Sequence, residues 1–403
     1  MPQILDPNLH QKVETILQSH LGTQVRVIHH EILSEPERRN FIARLFLEGH
    51  TRYPSVILKQ SLPSPKSDDE QEIVERFARD RAGIEFLSQV SGKTLNIPRF
   101  LGADRALRFI LIEDLGALHV SLVDSLTGPN RDQAVGALQR FMKALAHLHA
   151  ASFKKIDRYD AVLRGIHPDG RDDHSLHSGA YKQKIEDVKT ACALMELNFA
   201  PGLEQEIVDI MDYNYGDENF LVLCHGDICP DNVFDDPASS RLSFIDFEWA
   251  SPRSALRDAV YLRMGFPTCW CAKSLPRDVI DAMEAVYRRT LAETLPAALD
   301  DQLYAQAYLN ACAFWVLKTF SLLETTWDTD DTWPSGPVPA ESLWRPEQNF
   351  VRPRFVSRLS TYLQLTEVNN PYPLLRTLVD QMLEKAQKRW NNAPPLELYP
   401  AFR

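Results

Sequence analysis

The sequence lacks the long apolar runs that mark membrane proteins. Its most apolar helix-like stretch, from Ala307 to Leu323, is interrupted by polar residues, among them Lys318. It is also shorter than the roughly 20 apolar residues that a membrane-spanning helix needs. The first six residues contain neither a basic region nor an apolar core, so they do not resemble a signal peptide. We therefore expect a cytoplasmic protein that does not enter a membrane.

Cysteine is also scarce, with six residues in 403 and no CxxC pair. This number is too low, and the spacing too scattered, for a disulfide framework. The nearest pair, Cys269 and Cys271, supplies only two thiolates, whereas a structural zinc site has four ligands. We therefore expect partly buried thiols at this pair rather than a metal centre.

The chain has no excess of positive charge. Its 44 Lys and Arg residues are outnumbered by 55 Asp and Glu residues, which gives a formal net charge of −11. A surface that coats nucleic acid needs the opposite sign, so we expect no nucleic-acid partner. The hydrophobic content of 44% is that of an ordinary globular protein. At roughly 150 residues per domain, the length allows two or three compact units.

The first part of the chain is predicted to be rich in β-structure. Apolar residues at helical spacing predict a helix from Pro7 to Leu21, which Gly22 ends. A second helix is predicted from Glu72 to Val90. Short segments rich in β-branched or aromatic residues predict strands. These strands are Val25–Ile28, Phe41–Leu47, Ser55–Lys59, one at Phe100, and Phe109–Ile112.

The rest of the chain is predicted to be mostly helical from Ala134 onward, with one short β-segment between Phe220 and Phe247. Polar or irregular composition predicts loops at 165–178 and 327–346. These patterns predict an α+β protein with two lobes. A β-rich N-terminal lobe covers 1–112, a hinge covers 113–118, and a larger helical lobe covers 119–403. A cleft between such lobes is a common place for a ligand.

The most informative residues follow the apolar segment that ends at Cys224. His225-Gly226-Asp227 is followed by Asn232, and Ile245-Asp246-Phe247-Glu248 comes after a second apolar segment. Phosphoryl transfer needs a carboxylate that orients the attacking hydroxyl and accepts its proton, and amide or carboxylate oxygens that hold Mg²⁺. Either motif alone is compatible with an ordinary turn or strand end, but the two together favour this chemistry.

These motifs resemble the aminoglycoside phosphotransferase and choline kinase family of small-molecule kinases, which has a bilobal protein-kinase-like fold. The resemblance implies ATP and Mg²⁺ as cofactors and a small-molecule acceptor. By position, Asp227 would be the catalytic base, and Asn232 and Asp246 would bind metal. His225 and Asp258 would support the loop rather than take part in the chemistry.

The resemblance also assigns residues in the N-terminal lobe. Lys59, at the end of the third strand, would hold the nucleotide phosphates. Asp80 would pair with this lysine, with Glu75 and Glu85 as alternatives. The hinge sequence Glu113-Asp114-Leu115-Gly116 would hydrogen-bond adenine through its backbone, which points to Glu113 and Leu115.

The sequence departs from the family in the loop that would cover the phosphates. Residues 34–40 contain no glycine, so a glycine-rich cradle of backbone amides is absent there. Arg38, Arg39 and Asn40 could contact phosphate through side chains, or the loop could simply be solvated. Cys229 lies within the motif, and we interpret it as a spacer.

The acceptor is not identified by the sequence. The segment Thr326–Trp333, with Trp270 and Trp344, mixes aromatic rings and carboxylates. This mixture suits a cationic acceptor through cation–π contacts, but structural tryptophans in an acidic loop fit it equally. We expect transfer of a phosphoryl group from ATP to a hydroxyl of an amino alcohol, a sugar or an aminoglycoside-like molecule. The alternative is a weakly active or inactive kinase-fold protein that binds nucleotide or acts as a scaffold.

Overall fold

The computed structural model describes residues 6–35, 39–48, 52–63, 69–92, 95–168, 173–334, 336 and 344–403, with only the backbone for 173–180. The chain forms two compact units that are discontinuous in sequence. Unit 1 comprises Met1–His119, Lys155–Gly170 and Ser243–Ala250. Unit 2 comprises Val120–Lys154, Arg171–Leu242 and Ser251–Arg403.

Strands dominate the first part of the chain. The elements up to residue 166 are α1 (Pro7–Leu21), β1 (Arg26–Ile32), β2 (Asn40–Glu48), β3 (Ser55–Ser61), α2 (Glu70–Val90), β4 (Phe100–Asp104), β5 (Phe109–Glu113), β6 (Val120–Ser121), α3 (Leu122–Thr127), α4 (Arg131–Ser152) and α5 (Ile156–Ile166). In unit 1, strands β1 to β5 form one antiparallel sheet in the order β1-β2-β3-β5-β4.

Helices dominate the remainder. The later elements are α6 (Asp173–Leu194), α7 (Leu203–Gly216), β7 (Leu221–Cys224), β8 (Val233–Asp236), β9 (Arg241–Phe244), β10 (Ser251–Ser254), α8 (Leu256–Ala259), α9 (Arg277–Ala292), α10 (Asp301–Thr319), α11 (Leu323–Thr326), α12 (Arg352–Leu365) and α13 (Pro373–Arg389). Short 3₁₀ turns occur at Pro230–Asn232, Pro296–Leu299, Phe320–Leu322, Pro346–Gln348 and Pro400–Phe402.

The local sequence explains where α1 begins and ends. The Asp6 carboxylate accepts backbone hydrogen bonds from Asn8 and Leu9, and Pro7 is the first helical residue. Gly22 ends the helix in the left-handed conformation, with a φ of 68°. The helix runs from Pro7 to Leu21, so its predicted bounds are confirmed.

The core of unit 1 lies between α1 and one face of the sheet. It contains Val13 and Leu17 from the helix and Val56 and Leu58 from β3. Side chains alternate between the two faces of a strand, so Lys59 projects from the opposite face. Helix α2 contacts β3, and the carboxylate of its Asp80 forms an ion pair with Lys59.

Helix α2 also packs on the segment 243–250, which belongs to unit 1. Tyr159 of α5 donates a hydrogen bond to the carbonyl of Ala250 at 3.1 Å, and its ring makes an edge contact with Phe86 of α2. The segment that carries the predicted metal-binding Asp246 is therefore held by two helices of unit 1.

The predicted fold class, with a β-rich N-terminal region and a mostly helical remainder, is confirmed. The loop predicted at 165–178 is wrong in part, because α5 continues to Ile166 and α6 begins at Asp173. Residues 173–178, which include two of the three histidines of this stretch, His174 and His177, form the first turns of α6 rather than a loop. None of the helices in the described ranges has the length and apolar content that a membrane span requires.

Gly83 of α2 offers a test of this packing. A Cβ atom at this position would lie 2.8 Å from the Cβ atom of Phe247 and 3.6 Å from that of Ala250. Alanine favours a helix by about 1 kcal/mol over glycine, but overpacking typically costs about 1–3 kcal/mol. The nearest atom is the Cβ of Phe247 rather than the end of a flexible side chain, so we expect the upper part of this overpacking cost. After the gain in helix preference is subtracted, Gly83→Ala should lower the free energy of unfolding by about 1–2 kcal/mol, measured by urea denaturation.

The matched control is Gly92→Ala, because no heavy atom lies within 4 Å of its added Cβ. We expect this variant to unfold like the parent protein. Equal stability of the Gly83→Ala variant and the parent would contradict the close packing of α2 on Phe247.

Candidate active site

The loop from 225 to 232, here called the Asp227 loop, begins where a short strand ends in unit 2. Strand β7 pairs with β10 and ends at Cys224, so His225 is the first residue after the strand. Gly226 adopts a positive φ of 81°, which glycine allows without a steric penalty. The loop ends with the 3₁₀ turn at Pro230–Asn232, where the backbone N–H of Asn232 donates to the Cys229 carbonyl at 2.9 Å.

The structure brings Asp227 and Asn232 into contact. The Asn232 Nδ2 atom donates to the Asp227 carbonyl at 2.9 Å and lies 3.3 Å from its Oδ2 atom. Because the amide nitrogen faces Asp227, the side-chain oxygen of Asn232 remains as an acceptor for a cation. The Thr268 hydroxyl donates to the Oδ1 atom of Asp227, and Tyr261 lies 2.7 Å from that hydroxyl.

Asp258 holds the start of the Asp227 loop through a hydrogen bond to its backbone. Its Oδ2 atom accepts the backbone N–H of His225 at 2.8 Å and lies 3.5 Å from the His149 Nε2 atom. The other ring nitrogen of His149 lies 2.7 Å from the Tyr287 hydroxyl. Asp258 and His149 are fully buried, so this chain of polar contacts fixes the loop backbone in a dry environment.

Burial alone would raise the pKa of Asp258, but the hydrogen bond and the charge of His149, together with His225, lower it. The carboxylate is therefore stabilised in its ionised form, in which it accepts the backbone N–H of His225. His225 is also fully buried, and its Nδ1 atom lies 3.4 Å from the Asp227 backbone nitrogen.

The second group of predicted residues lies in unit 1. The Lys59 Nζ atom is 2.7 Å from Asp80 Oδ2 and 2.5 Å from Asp246 Oδ1. Asp80 also accepts the backbone N–H of Phe247 at 2.9 Å. We call Lys59, Asp80 and Asp246 the lysine cluster.

Of the three acids that the sequence left open as partners of Lys59, Asp80 makes the contact. Glu75 and Glu85 lie on other faces of α2, at 3.5 Å from Arg79 and 3.2 Å from Arg81, respectively. A contact from the shorter aspartate is possible because Lys59 and Asp80 are both buried, on β3 and α2, respectively, which pack against each other.

Burial shapes the ionisation of the lysine cluster. It opposes the charge of Lys59, but Asp246, Asp80 and Glu248 outweigh it and raise the pKa of the lysine. Burial also raises the pKa of Asp80 to about 6, against the attraction of Lys59. Asp246 itself has a positive φ of 69°, a conformation in which aspartate is enriched relative to most residues.

Glu248, two residues after Asp246, is buried among basic and amide groups of unit 1. It forms an ion pair with Arg39 and lies 3.6 Å from Arg76, while Asn40 donates to it at 3.3 Å. The glycine-free loop is therefore attached to Glu248 through Arg39 and Asn40. Arg38 lies outside the described residues.

The predicted hinge is anchored at Asp114. Its carboxylate accepts hydrogen bonds from Arg44 and Ser55 at 2.6 Å and from the Gly116 backbone at 2.9 Å. Burial opposes ionisation of Asp114, but these donors lower its pKa. The contacts of Asp114 hold the backbone on both sides of Leu115. Glu113 is the last residue of β5, and its backbone N–H donates a hydrogen bond to the Arg99 carbonyl.

The tryptophans that could have formed a site for a cationic acceptor already contact basic side chains of unit 2. Lys273 lies over Trp344 at 5.1 Å, Arg354 over Trp333 at 4.7 Å and Arg389 over Trp327 at 5.1 Å. Trp270 donates its indole N–H to Asp231 at 2.7 Å. These contacts favour the structural interpretation of this segment.

Two features near Asp227 were not predicted from the sequence. Cys229 and Cys269 form a disulfide, with Cα atoms 5.2 Å apart, so the expectation of a spacer at Cys229 and a free thiol at Cys269 is wrong. Thr268 contacts Asp227 from a segment with no recognisable motif. The two cysteines are 40 residues apart, and only the fold brings them together.

A protein-family model matches a large part of the chain. The family model described as the phosphotransferase enzyme family, APH, matches residues 36–303. This range contains both the lysine cluster and the Asp227 loop. No curated protein sequence matches the chain.

Solved structures of small-molecule kinases are similar to the chain at low identity. Choline kinase from Cryptosporidium parvum is 10% identical, with 92% of this chain and 93% of that chain covered and a TM-score of 0.46. Ethanolamine kinase from Plasmodium vivax is 13% identical, with 83% and 82% covered and a TM-score of 0.45. The choline kinase LicA from Streptococcus pneumoniae is 13% identical, with 89% and 99% covered and a TM-score of 0.45.

The family match covers about two thirds of the chain and includes all the motifs that carried the resemblance. The chain therefore belongs to the phosphotransferase enzyme family.

Proposed function

We propose that the protein transfers the γ-phosphoryl group of ATP to a hydroxyl group of a small molecule, with Asp227 as the general base. The observation that carries the proposal is the Asp227–Asn232 contact on one loop, within the region that matches the family. A carboxylate and an amide oxygen held together in this way suit a hydroxyl on one side and a cation on the other.

Asp227 would orient the acceptor hydroxyl and take its proton as the oxygen attacks phosphorus. The backbone of the loop is fixed by Asp258 at His225, and the carboxylate is held by donors on both oxygens, Thr268 and Asn232. A base held in this way loses little conformational entropy when the substrate binds. Such positioning of the reacting groups is a main contribution of the protein to phosphoryl transfer.

Asn232 and Asp246 are the proposed ligands of Mg²⁺. Their oxygen donors fit a hard cation, and Asn232 keeps its amide oxygen for this role because its nitrogen is used on Asp227. When bound, Mg²⁺ would neutralise charge on the phosphates. The neighbouring Glu248 is already engaged by Arg39, Arg76 and Asn40, so we assign no metal to it.

Lys59 is the proposed phosphate-binding cation. It is held by Asp80 and Asp246, whose charges raise its pKa against burial and so favour the charged ammonium group that binds phosphate. Asp80 would position the ammonium group, and the backbone at Glu113 and Leu115 would bind adenine beside the anchor at Asp114. Because residues 34–40 contain no glycine, we assign the phosphate contacts of unit 1 to side chains.

Replacement of the general base gives the first test of this proposal. We expect Asp227→Asn to lower kcat by about 10²–10⁴-fold, with little change in KM for ATP, because the amide does not accept the hydroxyl proton. The measurement is Mg²⁺-dependent ADP release in a screen of amino alcohols, sugars, aminoglycosides and macrolides. Glu218→Gln, which makes the same change at an exposed position, should match the parent. Equal ADP release from Asp227→Asn and the parent would refute the role of the base.

Replacement of Lys59 tests the nucleotide site separately from the chemistry. We expect Lys59→Met to weaken MgATP binding by at least about tenfold, measured by thermal-shift titration, because the phosphates lose their buried counter-charge. Lys143→Met, at an exposed position on α4, should bind like the parent. If the parent protein shows no shift at millimolar MgATP, both the kinase and the nucleotide-binding scaffold are excluded.

The choice of aspartate at position 80 gives a third test. Asp80→Asn keeps the size of the side chain but removes the charge that faces Lys59, so we expect KM for ATP to rise about five- to tenfold. Asp80→Glu retains the charge and should recover most of this loss. If Asp80→Asn and the parent have the same KM for ATP, the ion pair with Lys59 does not position the lysine.

A further inference from the structure

The segment Phe266–Cys271 of unit 2 lies directly on the Asp227 loop. Thr268 donates its hydroxyl hydrogen to the Asp227 Oδ1 atom, and the Tyr261 hydroxyl lies 2.7 Å from the same Thr268 oxygen. Tyr261 is fully buried, and its hydroxyl also lies 3.5 Å from the Gly226 carbonyl. Thr268 is therefore fixed between a buried tyrosine and the proposed base.

The same two segments are joined covalently. The Cys229–Cys269 disulfide has a Cα–Cα distance of 5.2 Å, which is within the normal range for a disulfide. Cys229 comes two residues after Asp227, and Cys269 comes one residue after Thr268. The covalent link is thus placed directly beside the hydrogen bond between Thr268 and Asp227.

We propose that Thr268 is a positioning residue for Asp227, and that the Cys229–Cys269 disulfide is a reversible tether that keeps Thr268 on the base. This inference rests on the proposed function only for its effect on the reaction rate. The tether itself is a property of the fold of unit 2 and can be measured without a substrate.

The chemistry of the tether is a thiol–disulfide exchange. When the bond forms, the two thiols lose two electrons and two protons to a small-molecule disulfide such as oxidised glutathione, which becomes two thiols. When the bond breaks, a dithiol such as dithiothreitol supplies the same electrons and protons and becomes a cyclic disulfide. Each direction passes through a mixed disulfide on one of the two cysteines.

Reduction has a second consequence for Asp227. The Cys229 sulfur lies 3.2 Å from the Asp227 Oδ1 atom, the same oxygen that Thr268 contacts. In the disulfide this sulfur carries no hydrogen, whereas in the reduced protein it is a thiol that can donate to that oxygen. Reduction therefore removes the tether and adds a thiol donor that competes with Thr268 for the Asp227 Oδ1 atom. The Asp227 carboxylate then no longer has a single fixed orientation.

The first experiment tests the tether in the full-length protein without any substrate. We expect peptide mass spectrometry under non-oxidising alkylation to find Cys229 linked to Cys269. We also expect dithiothreitol to increase hydrogen–deuterium exchange in peptides that cover 225–232 and 266–271, and not in those that cover α4. Failure to find the linked peptide after treatment with oxidised glutathione, or equal exchange in the oxidised and reduced protein, would overturn the tether.

The second experiment tests the role of Thr268 in the reaction, with an acceptor identified by ADP release. We expect Thr268→Val to lower kcat about tenfold with KM for ATP within twofold, because a misplaced base affects the transition state and not nucleotide binding. Thr268→Ser restores the donor and should recover most of kcat. A loss that serine does not recover, or an equal change in KM, would overturn the positioning role.

The cysteines provide a matched pair of variants. Cys269→Ala removes the tether and should give the kcat of the reduced parent, with no further response to dithiothreitol. Cys271→Ala removes a buried cysteine of the same segment that lies outside the disulfide, and it should keep the redox response. If Cys269→Ala still responds to dithiothreitol, the response does not come from this bond. An absence of ADP release from every variant and the parent would instead refute the proposed function, while the exchange experiment would still decide the tether.

Discussion

The ion pair of Lys59 with Asp80 and Asp246 is the interaction on which unit 1 depends. Lys59 comes from β3, Asp80 from α2, and Asp246 from the segment after β9, so one ammonium group joins three parts of the chain. Lys59 and Asp80 are buried, and an unpaired buried charge typically costs about 3–5 kcal/mol. The sheet, the helix and the Asp246 segment are therefore linked electrostatically, and a displacement of β3 would take the Lys59 counter-charge away from buried Asp80.

Unit 2 uses the same physical device for a different purpose. Buried Asp258 holds the backbone of the Asp227 loop at His225, and the ring of His149, rather than a lysine, lies 3.5 Å from its carboxylate. Asp227 itself is only partly buried, as a group that meets a substrate must be. In both units a buried carboxylate binds a backbone N–H next to a functional residue: Asp80 at Phe247 and Asp258 at His225. Buried charge thus fixes the loops, and the functional side chains that the loops carry stay accessible.

The sequence predicted those parts of this arrangement that depend on local patterns. Helix α1 was found with its correct ends because Pro7 and Gly22 mark them, and the two motifs stood out because polar residues follow apolar strands. The partner of Lys59 was left open among Asp80, Glu75 and Glu85, because tertiary packing decides which side of a helix contacts the sheet. Thr268 and the Cys229–Cys269 pair were missed because neither carries a local signal: the fold alone brings them to Asp227. The loop predicted at 165–178 was wrong in part because a polar composition alone does not distinguish a loop from a helix.

In the proposed reaction, a phosphoryl group moves from ATP to the hydroxyl of a small molecule. The most direct measurement follows the label from [γ-³²P]ATP into the acceptor panel in the presence of Mg²⁺, with products separated by chromatography. We expect the parent protein to form a labelled phosphate ester of at least one acceptor, and we expect this product to be lost without Mg²⁺. Label that stays in ATP or appears only in inorganic phosphate, across the whole panel and with MgATP bound, would contradict it.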